Sequence, residues 1–87
     1  MTAYAIILNE PNNAVWERVR ANWPSCFIVS ETMALISSPD PTVLTSQIAE
    51  AAGMNGNEKV LGVVLQVGNY FGYNSTALWE WLGKSHE

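Results

Sequence analysis

Cys26-Phe27-Ile28-Val29-Ser30-Glu31-Thr32-Met33-Ala34-Leu35-Ile36-Ser37 is the stretch on which the fold turns. Two short apolar runs, 26–29 and 33–37, flank the polar trio Ser30-Glu31-Thr32, the only turn that the segment offers. Such a pattern predicts two strands joined tightly in a hairpin. The Asn-Gly or Asp-Gly pair favoured in two-residue turns is missing.

Upstream, Val15, Trp16, Val19 and Trp23 fall at i, i+1, i+4 and i+8 and predict one face of an amphipathic helix. Glu17, Arg18 and Arg20 lie largely off that face. Asn12 or Asn13 can cap its start, because an Asn side-chain oxygen satisfies a free amide of the first turn. Pro24 stops it. Residues 2–9 are short, apolar and rich in β-branched side chains, and Asn9-Glu10-Pro11 bounds them. They predict a buried strand.

Downstream, Ser38-Pro39-Asp40-Pro41 predicts a second helix, with Asp40 as N-cap and Pro41 at the first helical position. Val43, Leu44, Ile48, Ala51 and Ala52 form its apolar stripe, and Gly53 suits the left-handed residue just past its end. Residues 59–67 read as the strongest strand. Leu61, Val63, Leu65 and Val67 alternate there with the smaller set Val60, Gly62, Val64 and Gln66. The smaller set is expected to face a helix closely, or another subunit. Residues 68–74 are expected as an aromatic loop or a short strand, after which Asn74 or Ser75 caps a last helix over 76–83 that Gly83 ends. Lys84 to the C-terminal residue is expected to fray.

The resulting order is β-α-β-β-α-β with a C-terminal helix. That is the split βαβ, or ferredoxin-like, pattern. The expected architecture is a single α+β domain over 1–87: a four-stranded antiparallel sheet, two packed helices, and a C-terminal aromatic turn plus short helix. At 87 residues one core is only marginally stabilising, so self-association is expected.

Composition narrows the function classes. Four Lys/Arg against eight Asp/Glu give a net charge of −4, and only 14% of residues are charged. A protein that neutralises phosphates needs clustered cations, so nucleic acid is a disfavoured partner. A hydrophobic content of 48%, with four Trp, three Tyr and two Phe, is enough for a core and excludes disorder. The longest apolar stretch, 60–67, is far short of the roughly 20 residues of a membrane span. No Lys or Arg precedes the first apolar run, so it does not read as a secretory signal. One Cys allows no internal disulfide, which fits a cytoplasmic location. One Cys and one His do not make a usual zinc site, and no cofactor is expected.

No catalytic constellation stands out. His86 sits in the expected frayed end, where a general base would have no fixed position. Cys26 has no basic neighbour in sequence to lower its pKa, which predicts core packing. Asn9, Glu10 and Glu31 sit at strand ends; the simpler reading makes the two acids solvated loop charges. Gly53-Met54-Asn55-Gly56 matches a nucleic-acid-binding Gly-x-x-Gly loop only loosely, with no base between the glycines. Arg18 and Arg20 lie about 200° apart on a helix and make no single patch.

Trp79 and Trp81, at i and i+2, are expected on different sides of the last helix, so that one stands exposed or is covered by another chain. The alternative is a helix lying flat over the sheet, with Trp81 half buried by its rim. Tyr70, Phe71 and Tyr73 add aromatics just before, and Trp and Tyr are the usual anchors of interfaces.

Two stretches go beyond topology. Tyr4-Ala5-Ile6-Ile7-Leu8-Asn9-Glu10-Pro11 resembles the opening strand of SinR-like proteins, small relatives of the CRISPR adaptation nuclease family. Asn57-Glu58-Lys59-Val60-Leu61-Gly62-Val63-Val64, Tyr70-Phe71-Gly72-Tyr73 and Glu80-Trp81-Leu82 resemble that family's closing strand, aromatic turn and terminal helix. Trp23 and Ser30-Glu31-Thr32 fit loosely. The nucleases carry a metal-holding aspartate near the end of the first strand. Aligning Leu8-Asn9-Glu10-Pro11 puts Ile7 there, which cannot ligate a hard cation. A one-residue slip leaves Asn9 or Glu10 as substitutes.

The resemblance implies a non-catalytic, homodimeric interaction protein linked to mobile-element defence or toxin–antitoxin systems. Strand or helix exchange at the C-terminal extension would join the copies, or would join the chain to another protein. Tyr70, Phe71, Tyr73, Trp79 and Trp81 are the expected interface. The alternatives are a metal-dependent nuclease using carboxylates near Asn9 and Glu10, and an acidic inhibitor of a nucleic-acid-binding partner.

Overall fold

The computed structural model describes residues 2–39, 43, 45–54, 60–68 and 76–85. Along the chain these form β1 (Thr2–Leu8), α1 (Asn13–Asn22), β2 (Phe27–Ser30), β3 (Met33–Ser38), α2 (Thr45–Ala51), β4 (Gly62–Gln66) and α3 (Thr76–Ser85). The four strands make one open sheet in the order β2-β3-β1-β4, and every neighbouring pair is antiparallel. The fold is therefore α+β, with three helices among the described residues. Each of the connections through α1 and α2 passes over one intervening strand, so two β-α-β units interlock through the central pair β3 and β1.

The hairpin forms where the polar trio placed it. Ser30 closes β2, Glu31 and Thr32 make the turn, and Met33 opens β3. The Ser30 hydroxyl accepts the Thr32 amide at 3.3 Å, which stands in for the absent Asn-Gly signature. Trp16 reaches across from α1, and its indole N–H donates to the Glu31 carbonyl at 2.6 Å. The turn is thus tied to the first helix as well as to itself.

Asn12 caps α1, its side-chain oxygen accepting the Val15 amide. Val15, Trp16 and Val19 are buried, as the spacing predicts. They meet Tyr4, Ile6 and Leu8 of β1, Ala34 and Ile36 of β3, and Ile48, Ala52 and Met54 around α2 in one core. The second helix departs from expectation at its start. It opens at Thr45, while Val43 lies outside it; Asp40 and Pro41 are outside the described residues. The buried Tyr4 hydroxyl donates to the Val43 carbonyl at 2.9 Å and holds that residue to the sheet. Gly53 follows the helix at φ 81°, the left-handed conformation expected of it.

The opposite face of the sheet carries a second core. Leu78 and Leu82 of α3 pack on Ala5 and Leu35, with Phe27, Val29, Met33 and Val67 around them. β1 is therefore covered on both faces, which is why it reads as a continuous apolar run: Ala3, Tyr4, Ala5 and Ile6 are all buried. Gly83 does not end α3, which runs on to Ser85. Its φ is not positive, and open space surrounds it, so nothing there forces the helix to stop.

Candidate functional site

β4 is where the chain is least finished. It is an edge strand, paired with β1 alone among the described strands. Its pairing is regular, from Tyr4 opposite Gln66 to Leu8 opposite Gly62. The Asn9 amide donates to the Leu61 carbonyl and the Val67 amide to the Ala3 carbonyl, both at 2.9 Å. Backbone groups alternate in direction along an antiparallel strand. Residues 61, 63, 65 and 67 therefore turn theirs toward β1, and Gly62, Val64 and Gln66 turn theirs to the open edge.

Its side chains divide as sharply. The even residues face α2: Val60 and Val64 pack on the first core, and a groove of about 300 Å³ runs between them and Ala49 and Met54. Gly62 is needed here, since a Cβ would stand 2.5 Å from the Ile7 carbonyl and 2.9 Å from Leu8 Cδ2. The expected close approach of the smaller set to a helix is thus what the chain adopts. The odd residues point to the α3 face, where Val67 packs on the second core, but α3 lies over β1 and β2 and leaves the other three uncovered. Leu61, Val63 and Leu65 remain 69%, 44% and 50% exposed. These three are the candidate contact residues missed from sequence. The signal was Gly62: a strand packs closely on the side where it carries its glycine, leaving the larger set for the other side.

The aromatic residues of α3 are arranged differently from the simple i, i+2 expectation. Trp79 and Trp81 are both half-buried against the second core. They flank the Leu78–Leu82 stripe within an arc of about 160°, so a helix lying flat rests on both. The Trp81 indole N–H donates to the Ser25 carbonyl at 2.7 Å, tying α3 to the entry of β2. Neither indole stands fully exposed, because the apolar load is shared between two faces of the sheet. Tyr70, Phe71 and Tyr73 lie outside the described residues.

Asn9 and Glu10 follow β1 and are exposed. The Leu8 amide donates to the Thr32 carbonyl at 2.7 Å, so Glu10 and Glu31 share one end of the sheet. Among the described residues no group of three or more His, Cys, Asp or Glu is placed to hold a metal ion. Ile7 sits in the sheet between Met33 and Val63. Cys26 packs partly against the first core; burial raises its pKa above the ordinary thiol value, while Arg20 and the backbone amide of Cys26 itself pull the other way. Arg18 lies against Gly53, so it covers the end of α2. His86 lies outside the described residues. No described helix is long and apolar enough to cross a membrane.

Comparison with protein families, with curated proteins and with solved structures finds no match to this chain.

Proposed function

We propose that this protein is a non-catalytic interaction module that works as a homodimer, built on a ferredoxin-like domain of the SinR-like kind. The observation that carries the reading is the row Leu61, Val63 and Leu65, exposed on an edge strand whose outward backbone groups have no strand partner among the described residues. Exposed apolar side chains that cluster on one strand are the mark of a contact surface. The strand order β2-β3-β1-β4 and the interlocked crossovers support the ferredoxin-like assignment.

Tyr70, Phe71 and Tyr73 follow β4 in the chain, and the sequence assigns them to the same contact. The exposed parts of Trp79 and Trp81 extend it on the α3 side. Exchange of α3 between copies would refill the Leu78 and Leu82 sites on Ala5 and Leu35 with the second copy's helix and leave the Leu61, Val63 and Leu65 row as exposed as before. A role in mobile-element defence or a toxin–antitoxin system rests on the resemblance of the opening strand and the aromatic turn. The test is to co-express two copies of the chain with different affinity tags. Recovery of both through either tag is expected. Recovery of one tag alone would rule out the homodimer.

A further inference from the structure

We infer that α3 is a displaceable cover. It opens from the sheet on its own, while the four strands and the first core stay folded. Opening uncovers one apolar face, of which Leu61, Val63 and Leu65 are the part left bare when α3 is shut. The opening stands on the packing alone; that the uncovered face serves contact rests on the interaction-module reading.

Strand register draws the face. Phe27 lies opposite Leu35, Leu35 opposite Ala5, and Ala5 opposite Leu65. Residues directly opposite each other in an antiparallel pair project to the same side, so these four form one row across the whole sheet. Met33, Ile7 and Val63 form the next row. α3 seats Leu78 and Leu82 on the middle of the first row, where Ala5 and Leu35 are buried, and leaves Leu65 at its end half exposed. Shut, α3 divides a face that the sheet carries as one.

The cover is separable. The first core draws on β1, β3, α1 and the α2 region, and no described residue of α3 belongs to it. α3 is not a member of the sheet, so lifting it breaks no strand pair. Among the described residues the second core holds four buried side chains against eleven in the first, and two of the four leave with α3. What stays folded is the larger core with its sheet intact. Units that open below the global stability are drawn from such thinly packed elements.

The helix is also weak in itself. Its 10 residues are too few to hold a helix in water without packing, so α3 unfolds as it lifts. Gly83 weakens it further. It is exposed, its φ is not positive, and a Cβ there would meet nothing within 4 Å. The shut form gives no steric reason for glycine at this position, and glycine inside a helix favours the unfolded chain. The Trp81 indole, donating to the Ser25 carbonyl, latches the shut form.

Hydrogen exchange of the full chain over a urea series tests the opening. The Glu80, Trp81 and Leu82 amides should be at least about tenfold less protected than those of Ile6 and Ile36. Their exchange should also depend more weakly on urea, because opening exposes less surface than unfolding does. Equal protection with equal urea dependence would overturn the cover. Gly83→Ala should slow exchange in α3 by roughly fivefold, and unchanged exchange there would count against the inference. Leu78→Ala with Leu82→Ala removes the seat. The α3 amides should then exchange nearly as in an unfolded chain, while those of Ile6 and Ile36 keep about a hundredfold protection or more. Loss of protection throughout, or α3 amides still protected, would overturn it. Recovery of one tag alone in the two-tag test would remove the homodimer and leave the opening standing; uniform exchange would remove the opening and leave the homodimer.

Discussion

Tyr4 ties the segment before α2 to the sheet through one atom. Its hydroxyl is the link between the central strand and Val43, so Tyr4→Phe should cost about 1 kcal/mol, the worth of one ordinary hydrogen bond. Urea unfolding measures it; an unchanged midpoint would show that the bond contributes nothing. Gly53 works through its backbone. At φ 81°, with Arg18 against it, Gly53→Ala forces a left-handed alanine into occupied space and should destabilise by about 1–2 kcal/mol in the same assay. Cys26 is governed by burial, which raises its pKa. The neutral thiol is the form the fold favours. That contribution is complete below the unfolded thiol's pKa and fades as pH rises through the raised one. Alkylation by iodoacetamide near pH 8 should therefore be slower than for a free cysteine, with the gap closing at higher pH. Equal rates at pH 8 would contradict the assignment.

At the scale of elements, α3 is the piece that the sequence placed in order but not in space. Nothing local in 76–85 says which face of the sheet receives it. Leu78 and Leu82 find their sites on Ala5 and Leu35, residues distant in sequence on the far face of the sheet. Leu82→Ala should leave a cavity in the second core and cost about 2–5 kcal/mol. Tryptophan fluorescence should register the loss as Trp79 and Trp81 become more exposed. A fluorescence spectrum and a stability both matching the wild type would contradict the seating of α3. α1 and the hairpin, by contrast, were legible almost to the residue. The Asn12 cap, Pro24 and the Ser30-Glu31-Thr32 trio are local signals that tertiary packing does not override. α2 opens later than the local signal placed it, and Tyr4, distant in sequence, donates to the Val43 carbonyl just outside the helix.

For the whole molecule, the uncharged stretch that includes β4 forms an edge left apolar on one face and without a second strand neighbour among the described residues. The alternation that marks residues 60–67 as a strand was plain in the sequence. Gly62 marked the set that faces α2; that the other set stays uncovered was not legible, because that depends on how far α3 reaches across the sheet. Of the aromatic residues expected at the contact, Trp79 and Trp81 are half-buried on the second core of their own chain, and the aliphatic row of β4 stands exposed on the same side of the sheet. The account stands or falls on mass in solution. Sedimentation equilibrium of the unmodified chain, from about 1 to 200 μM around the affinities of standard interfaces, should show a rise with concentration from the 9.6 kDa chain toward twice that mass. A mass of 9.6 kDa at every concentration would contradict it.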